Sequence, residues 1–100
     1  MKVEWLHEAR RNRESQLAYI AERNPAAAIR LGDAIAEATA RLASFPEIAP
    51  RGRVEGTREL LIAGTPYIAI YRIENSKVVI LRLLHDSQIW PPPALRRLSP

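Results

Sequence analysis

The sequence predicts an α/β (α+β) domain ordered β-α-α-β-β-β, a helical hairpin packed on a small antiparallel-rich sheet. Three observations predict it. Apolar residues recur at helical spacing from Ala28 to Phe45, marking one buried helix face. After Thr57 come apolar runs broken only by short turn signals, as in a meander of strands. Ahead of the helices stands one short alternating run.

Lys2 to Leu6 places Val3 and Trp5 on one side and Lys2 and Glu4 on the other, which reads as a strand. From about His7 to Arg23 a helix is expected. Its apolar stripe (Ala9, Leu17, Ile20, Ala21) is thin, and it opens on Arg10, Arg11, Asn12, Arg13 and Glu14. Asn24 is a good cap for a second helix, with Pro25 where a missing N–H costs nothing. That helix is expected from Pro25 to Ser44, with a seam of Ala28, Leu31, Ile35, Ala38, Leu42 and Phe45, and Pro46 closing it. So short a connection makes the pair an antiparallel hairpin. Residues 46–57 read as a loop. Strands follow at 58–63, 67–73 and 77–85, joined by connections short enough for hairpins. One domain spans 1–100, with 91–100 a flexible tail.

Composition narrows the function classes. With no cysteine, neither a disulfide framework nor a thiolate metal site can form. No apolar run reaches the roughly 20 residues that span a bilayer, so the default is a soluble cytoplasmic protein without membrane contact. The net charge is +4, and residues 51–100 carry the excess. Only Lys2 and Lys77 among the basic residues are lysines. Arginine suits bidentate contact with phosphate or carboxylate.

Arg58, Arg72 and Arg82 stand singly in otherwise apolar strands, which points to one cationic working surface on the sheet. The bland alternative for each is a partner within the chain, among Glu55, Glu59, Glu74 and Asp86. Strict alternation puts Arg82 on a face with Val78, Ile80 and Leu84, and His85 on the opposite one unless a bulge intervenes. There is no Gly-rich phosphate loop, HExxH or serine elbow, so no metal or cofactor is implied. His85 has the side-chain type for proton transfer. Trp90 before Pro91 reads as a packing anchor.

Gly56-Thr57-Arg58-Glu59-Leu60, Tyr67 to Ile73, Val79 to His85 and Trp90-Pro91, read in order with Trp5 and the Tyr19 to Ala28 hairpin, resemble the RelE/ParE toxins of bacterial type II toxin–antitoxin systems. The resemblance covers residues 2 to about 91 and implies a growth-inhibiting toxin, of the kind associated with plasmid stabilization, neutralised by a cognate antitoxin. In RelE-like members basic side chains and often a C-terminal tyrosine or histidine cleave mRNA on the ribosome. ParE-like members act on DNA gyrase.

Carried over, Arg58 and Arg82 match positions used on the scissile phosphate, with His85 a candidate acid or base. Arg51, Arg53, Arg72 and Trp90 are candidate binding residues. Arg51 and Arg53 stand where the nucleases commonly carry a lysine, and Ile89-Trp90 stands where a catalytic tyrosine would be. Those departures place the chain nearer the ParE side, as a gyrase inhibitor and not an enzyme. A ribosome-dependent endoribonuclease is the alternative.

Overall fold

The computed structural model describes residues 1–92, so most of the tail expected at 91–100 lies outside the described residues. The elements are β1 (Lys2–Trp5), α1 (His7–Arg23), α2 (Pro25–Ala40), a 3-10 turn (Arg41–Ala43), β2 (Arg58–Leu61), β3 (Tyr67–Glu74) and β4 (Lys77–His85). The two helices pack on a four-stranded mixed sheet of order β1-β4-β3-β2.

Asn24 makes the sharp hairpin. Its N–H donates to the Ile20 carbonyl at 2.8 Å, ending α1, and its side-chain oxygen accepts from Ala27 N–H at 3.1 Å, starting α2. The expected seam holds at Leu31, Ile35 and Leu42, which are buried. It fails at Phe45, which is 60% exposed. The helix tightens into the 3-10 turn at Arg41 and ends before Phe45, so that side chain no longer follows the α-helical spacing.

β2, β3 and β4 form the expected antiparallel meander, and Asn75 and Ser76, both with positive φ, make the tight turn between the last two. β1 returns to pair in parallel with the first half of β4, Lys2 opposite Lys77 and Trp5 opposite Ile80. Two apolar clusters fill the space under the helices. One gathers Ala9, Leu42, Tyr71, Val78 and Ile80, the other Leu31, Ile35, Ile62, Ala69 and Leu83, and Trp5 and Leu60 pack against both.

Cross-strand partners share a face, so the register fixes where side chains point. One row reads Trp5, Ile80, Tyr71 and Arg58 on the helix side. The next reads Arg82, Ile70 and Glu59 on the other side. The register slips between these rows, leaving Leu81 as the extra residue of a β-bulge. The face away from the helices is not simply open: Ile70 and Val79 are 1% and 2% exposed there.

Candidate functional site

The three strand arginines do not form one surface. Arg58 lies in the helix-side row, where its Nη1 donates to the carbonyls of Ala49 at 2.7 Å and Glu47 at 3.3 Å. Beside it the Tyr71 hydroxyl donates to the Pro46 carbonyl at 2.7 Å, and burial pushes the Tyr71 hydroxyl pKa up. Together the two side chains tie down the loop that leaves the helical hairpin. Buried carbonyls need donors, and a guanidinium engaged this way is a structural clamp.

Arg72 and Arg82 lie on the opposite face. Arg72 grips Glu74 through Nε at 3.1 Å and Nη2 at 3.2 Å, an exposed pair two residues apart on one strand. Arg82 donates to the carbonyl of Leu81, the bulge residue, at 2.6 Å. The bulge precedes Arg82, so Arg82 sits opposite in facing to Val78 and Ile80, contrary to strict alternation along the strand. No bulge separates Arg82 from His85, and the two therefore point to opposite faces.

His85 pairs across the sheet with Tyr67, their rings meeting edge to face at 5.3 Å. The Ser87 N–H donates to its Nδ1 at 3.1 Å, and the Asp86 carboxylate lies 3.2 Å from the same nitrogen. The ring opens onto a polar groove of about 730 Å³ between α1 and the end of β4, lined also by Arg11, Ser15, Tyr19 and Gln88. Burial raises the pKa of the Tyr67 hydroxyl at its floor.

The arginines of the long loop belong to the other end of the molecule. Residues 50–52 run beside β2: Glu59 N–H donates to the Pro50 carbonyl at 3.1 Å and Gly52 N–H to the Thr57 carbonyl at 2.8 Å. A Cβ on Gly52 would lie 2.6 Å from the Thr57 hydroxyl, so only glycine permits this approach. Arg51 forms a bridge with Arg58 through the backbone. Arg53 takes Glu59 twice, by its N–H at 2.7 Å and by Nη2 at 3.1 Å, and its Nη1 donates to the Trp90 carbonyl at 3.3 Å. The chain after β4 thus comes back over the face away from the helices, and the Trp90 indole nitrogen is buried there.

Sequence reasoning passed over two amides on α1. Asn12 Oδ1 accepts from the Leu83 N–H at 3.2 Å, and Gln16 Nε2 donates to the Leu83 carbonyl at 2.9 Å. Four residues apart on a helix, they share a face and clasp the N–H and C=O of one β4 residue where β1 no longer covers it. The signal was the amide pair in a polar opening with no apolar reason to face the sheet.

Comparison with known proteins gives a consistent family. The model of the ParE toxin of the type II toxin–antitoxin system parDE matches residues 3–90. The chain belongs to the ParE toxin family. It is 39% identical over 90 residues to Y4kP of Sinorhizobium fredii, named as a candidate toxin, an alignment covering 90% of this chain and 93% of that one. Its fold matches a chain of the chromosomal ParDE system of P. aeruginosa with a TM-score of 0.76 and 23% identity, covering 85% of this chain and 95% of the other. A chain of the RelBE2 toxin–antitoxin complex of Mycobacterium tuberculosis matches with a TM-score of 0.61 and 29% identity, covering 84% and 95%. The ParE family member described here is a toxin of the type II class. Among its described residues no helix is long and apolar enough to cross a membrane.

Proposed function

We propose that this ParE toxin is held inactive by a cognate antitoxin and, when freed in the cytoplasm, stops growth by binding DNA gyrase, without cleaving RNA. The observation that carries the reading is the dispersal of the candidate catalytic set. Arg58 is committed to loop carbonyls on the helix side, Arg82 lies on the far face, and His85 opens into a separate groove. A nuclease needs its cations and its proton donor within hydrogen-bond reach of one phosphate. Residues on opposite sheet faces do not offer that.

A protein-binding inhibitor makes no such demand; it needs a shaped surface and arginine anchors. Pairing of the ParE toxin with an antitoxin is supported by the ParDE and RelBE2 systems its fold matches.

Purified gyrase with the purified ParE toxin is the test. Supercoiling is expected to fall with toxin concentration, and messages in an induced culture are expected to show no codon-associated cuts by primer extension. Ribosome-dependent cuts that disappear in Arg82→Ala, with supercoiling unaffected, would replace this reading with the mRNA-interferase one.

A further inference from the structure

The groove between α1 and the end of β4 has two chemically different ends, and the gyrase reading uses neither. One end is cationic. Arg11 lines it, is exposed, and has no carboxylate or hydrogen-bond partner among the described residues. Glu8, one turn earlier on α1, lines the same groove, so this end accepts one anion and opposes a second.

The other end is aromatic. Tyr19 lines it with 60% of its surface exposed, and the Arg23 guanidinium stands 3.9 Å over its ring. A tyrosine backed by a cation and open to water is a stacking platform for another planar ring. Asn12 holds the Leu83 N–H and Gln16 its carbonyl, so β4 runs alongside α1 and carries His85 towards Tyr19. His85 Nδ1 is engaged by Ser87 and Asp86, which leaves Nε2 to the groove. Tyr67, whose ring meets that of His85, is only 8% exposed, yet its hydroxyl has no partner among the described residues. Polar groups held that deep normally have one.

We propose that this groove binds a nucleoside monophosphate, its base stacked on Tyr19 with an edge on Tyr67 and His85, and its phosphate on Arg11. Tyr19 and Arg11 stand about 12 Å apart along the helix axis. That spacing separates a base from its phosphate and is too long for inorganic phosphate to bridge. The volume of about 730 Å³ lies within the small-molecule range of about 300–1,000 Å³. An acidic peptide is the poorer occupant, because Glu8 meets it with like charge.

The test titrates the purified full chain with AMP, adenosine, ribose 5-phosphate and inorganic phosphate. AMP is expected to bind about tenfold more tightly than adenosine or ribose 5-phosphate, since each lacks one of the two anchors. Arg11→Ala is expected to weaken AMP about 10- to 100-fold while leaving adenosine unchanged. Tyr19→Ala is expected to weaken AMP and adenosine alike, about 5- to 100-fold, and Tyr19→Phe to stay within about twofold of wild type. In the wild-type chain, AMP is expected to shift the amide resonances of Tyr19 and His85, a measurement that needs no variant to fold.

AMP that binds no more tightly than inorganic phosphate would overturn the proposal. So would variants that bind AMP as wild type does, or amide shifts that leave Tyr19 and His85 unmoved. A 5′-phosphorylated oligonucleotide bound more than about tenfold more tightly than AMP would overturn it too, by making the groove a site for a strand.

Discussion

Beyond residue 80 the outer edge of β4 has no strand beside it among the described residues, yet the Leu83 N–H and C=O are held by Asn12 and Gln16. Two residues on, the His85 N–H donates to the Gln88 side chain at 2.8 Å and its carbonyl accepts from the Gln88 N–H at 3.0 Å. At the other edge of the same sheet, β2 is covered by backbone as far as Glu59, and then the Leu61 N–H and C=O face outward with no partner among the described residues, beside exposed apolar side chains. An unpaired strand edge is a template for another chain. One edge is closed with side-chain amides, while at the other the same kind of groups face outward with no partner among the described residues.

The comparison breaks hardest at the closed edge. Replacing both Asn12 and Gln16 with leucine would strip the Leu83 N–H and carbonyl of their partners; each such orphaned group costs about 1–3 kcal/mol. The double variant is expected to lose about 2–5 kcal/mol in urea unfolding, and a loss below about 1 kcal/mol would show that water replaces the amides freely. A core reference of similar size is Leu42→Ala, fully buried at the end of the hairpin seam, at about 2–5 kcal/mol.

At the open edge the expected effect is far smaller. Leu61→Lys should leave the free chain within about 0.5 kcal/mol of wild type in urea unfolding, because the side chain is already 61% exposed.

The smallest effect lies on β1, the strand that covers the first half of β4. A hydrogen bond and ion pair from Lys77, with Lys2 adding to it, hold the Glu4 carboxyl below its ordinary value of 4.5. A carboxyl whose folded pKa is depressed adds stability above its unfolded value and loses it as pH falls through the folded one. Acidification below about pH 4.5 should therefore loosen β1 first, seen as faster amide exchange there, and Glu4→Gln should flatten that acid limb.

The elements were legible because their signals are local: Asn24-Pro25 for the hairpin, the Leu31–Ile35–Leu42 spacing for the helix face, Asn75-Ser76 for the turn. The parallel pairing of β1 with β4 was not, since nothing in Lys2 to Trp5 names a partner so distant in sequence. The single cationic surface expected from Arg58, Arg72 and Arg82 failed for a related reason. Alternation assigns faces within one strand, but agreement between strands depends on register, and the bulge at Leu81 shifts β4 by one residue against β3. Arg58 looked like Arg82 in sequence because both are lone arginines in apolar runs. Only the position of the Ala49 and Glu47 carbonyls shows that one of them is a clamp.

The parallel pair of β1 and β4 also sets an order of events during synthesis. β1 is made well before the strand it pairs with, so Trp5 waits for Ile80. At about 5–20 residues per second that wait is roughly 4–15 s, during which the apolar seam of the hairpin has no complete sheet to lie on. Long-range pairing of this kind is slow to close. Until β4 is made, the side chains of β1 and of the hairpin seam therefore lack the strand that closes the sheet over them.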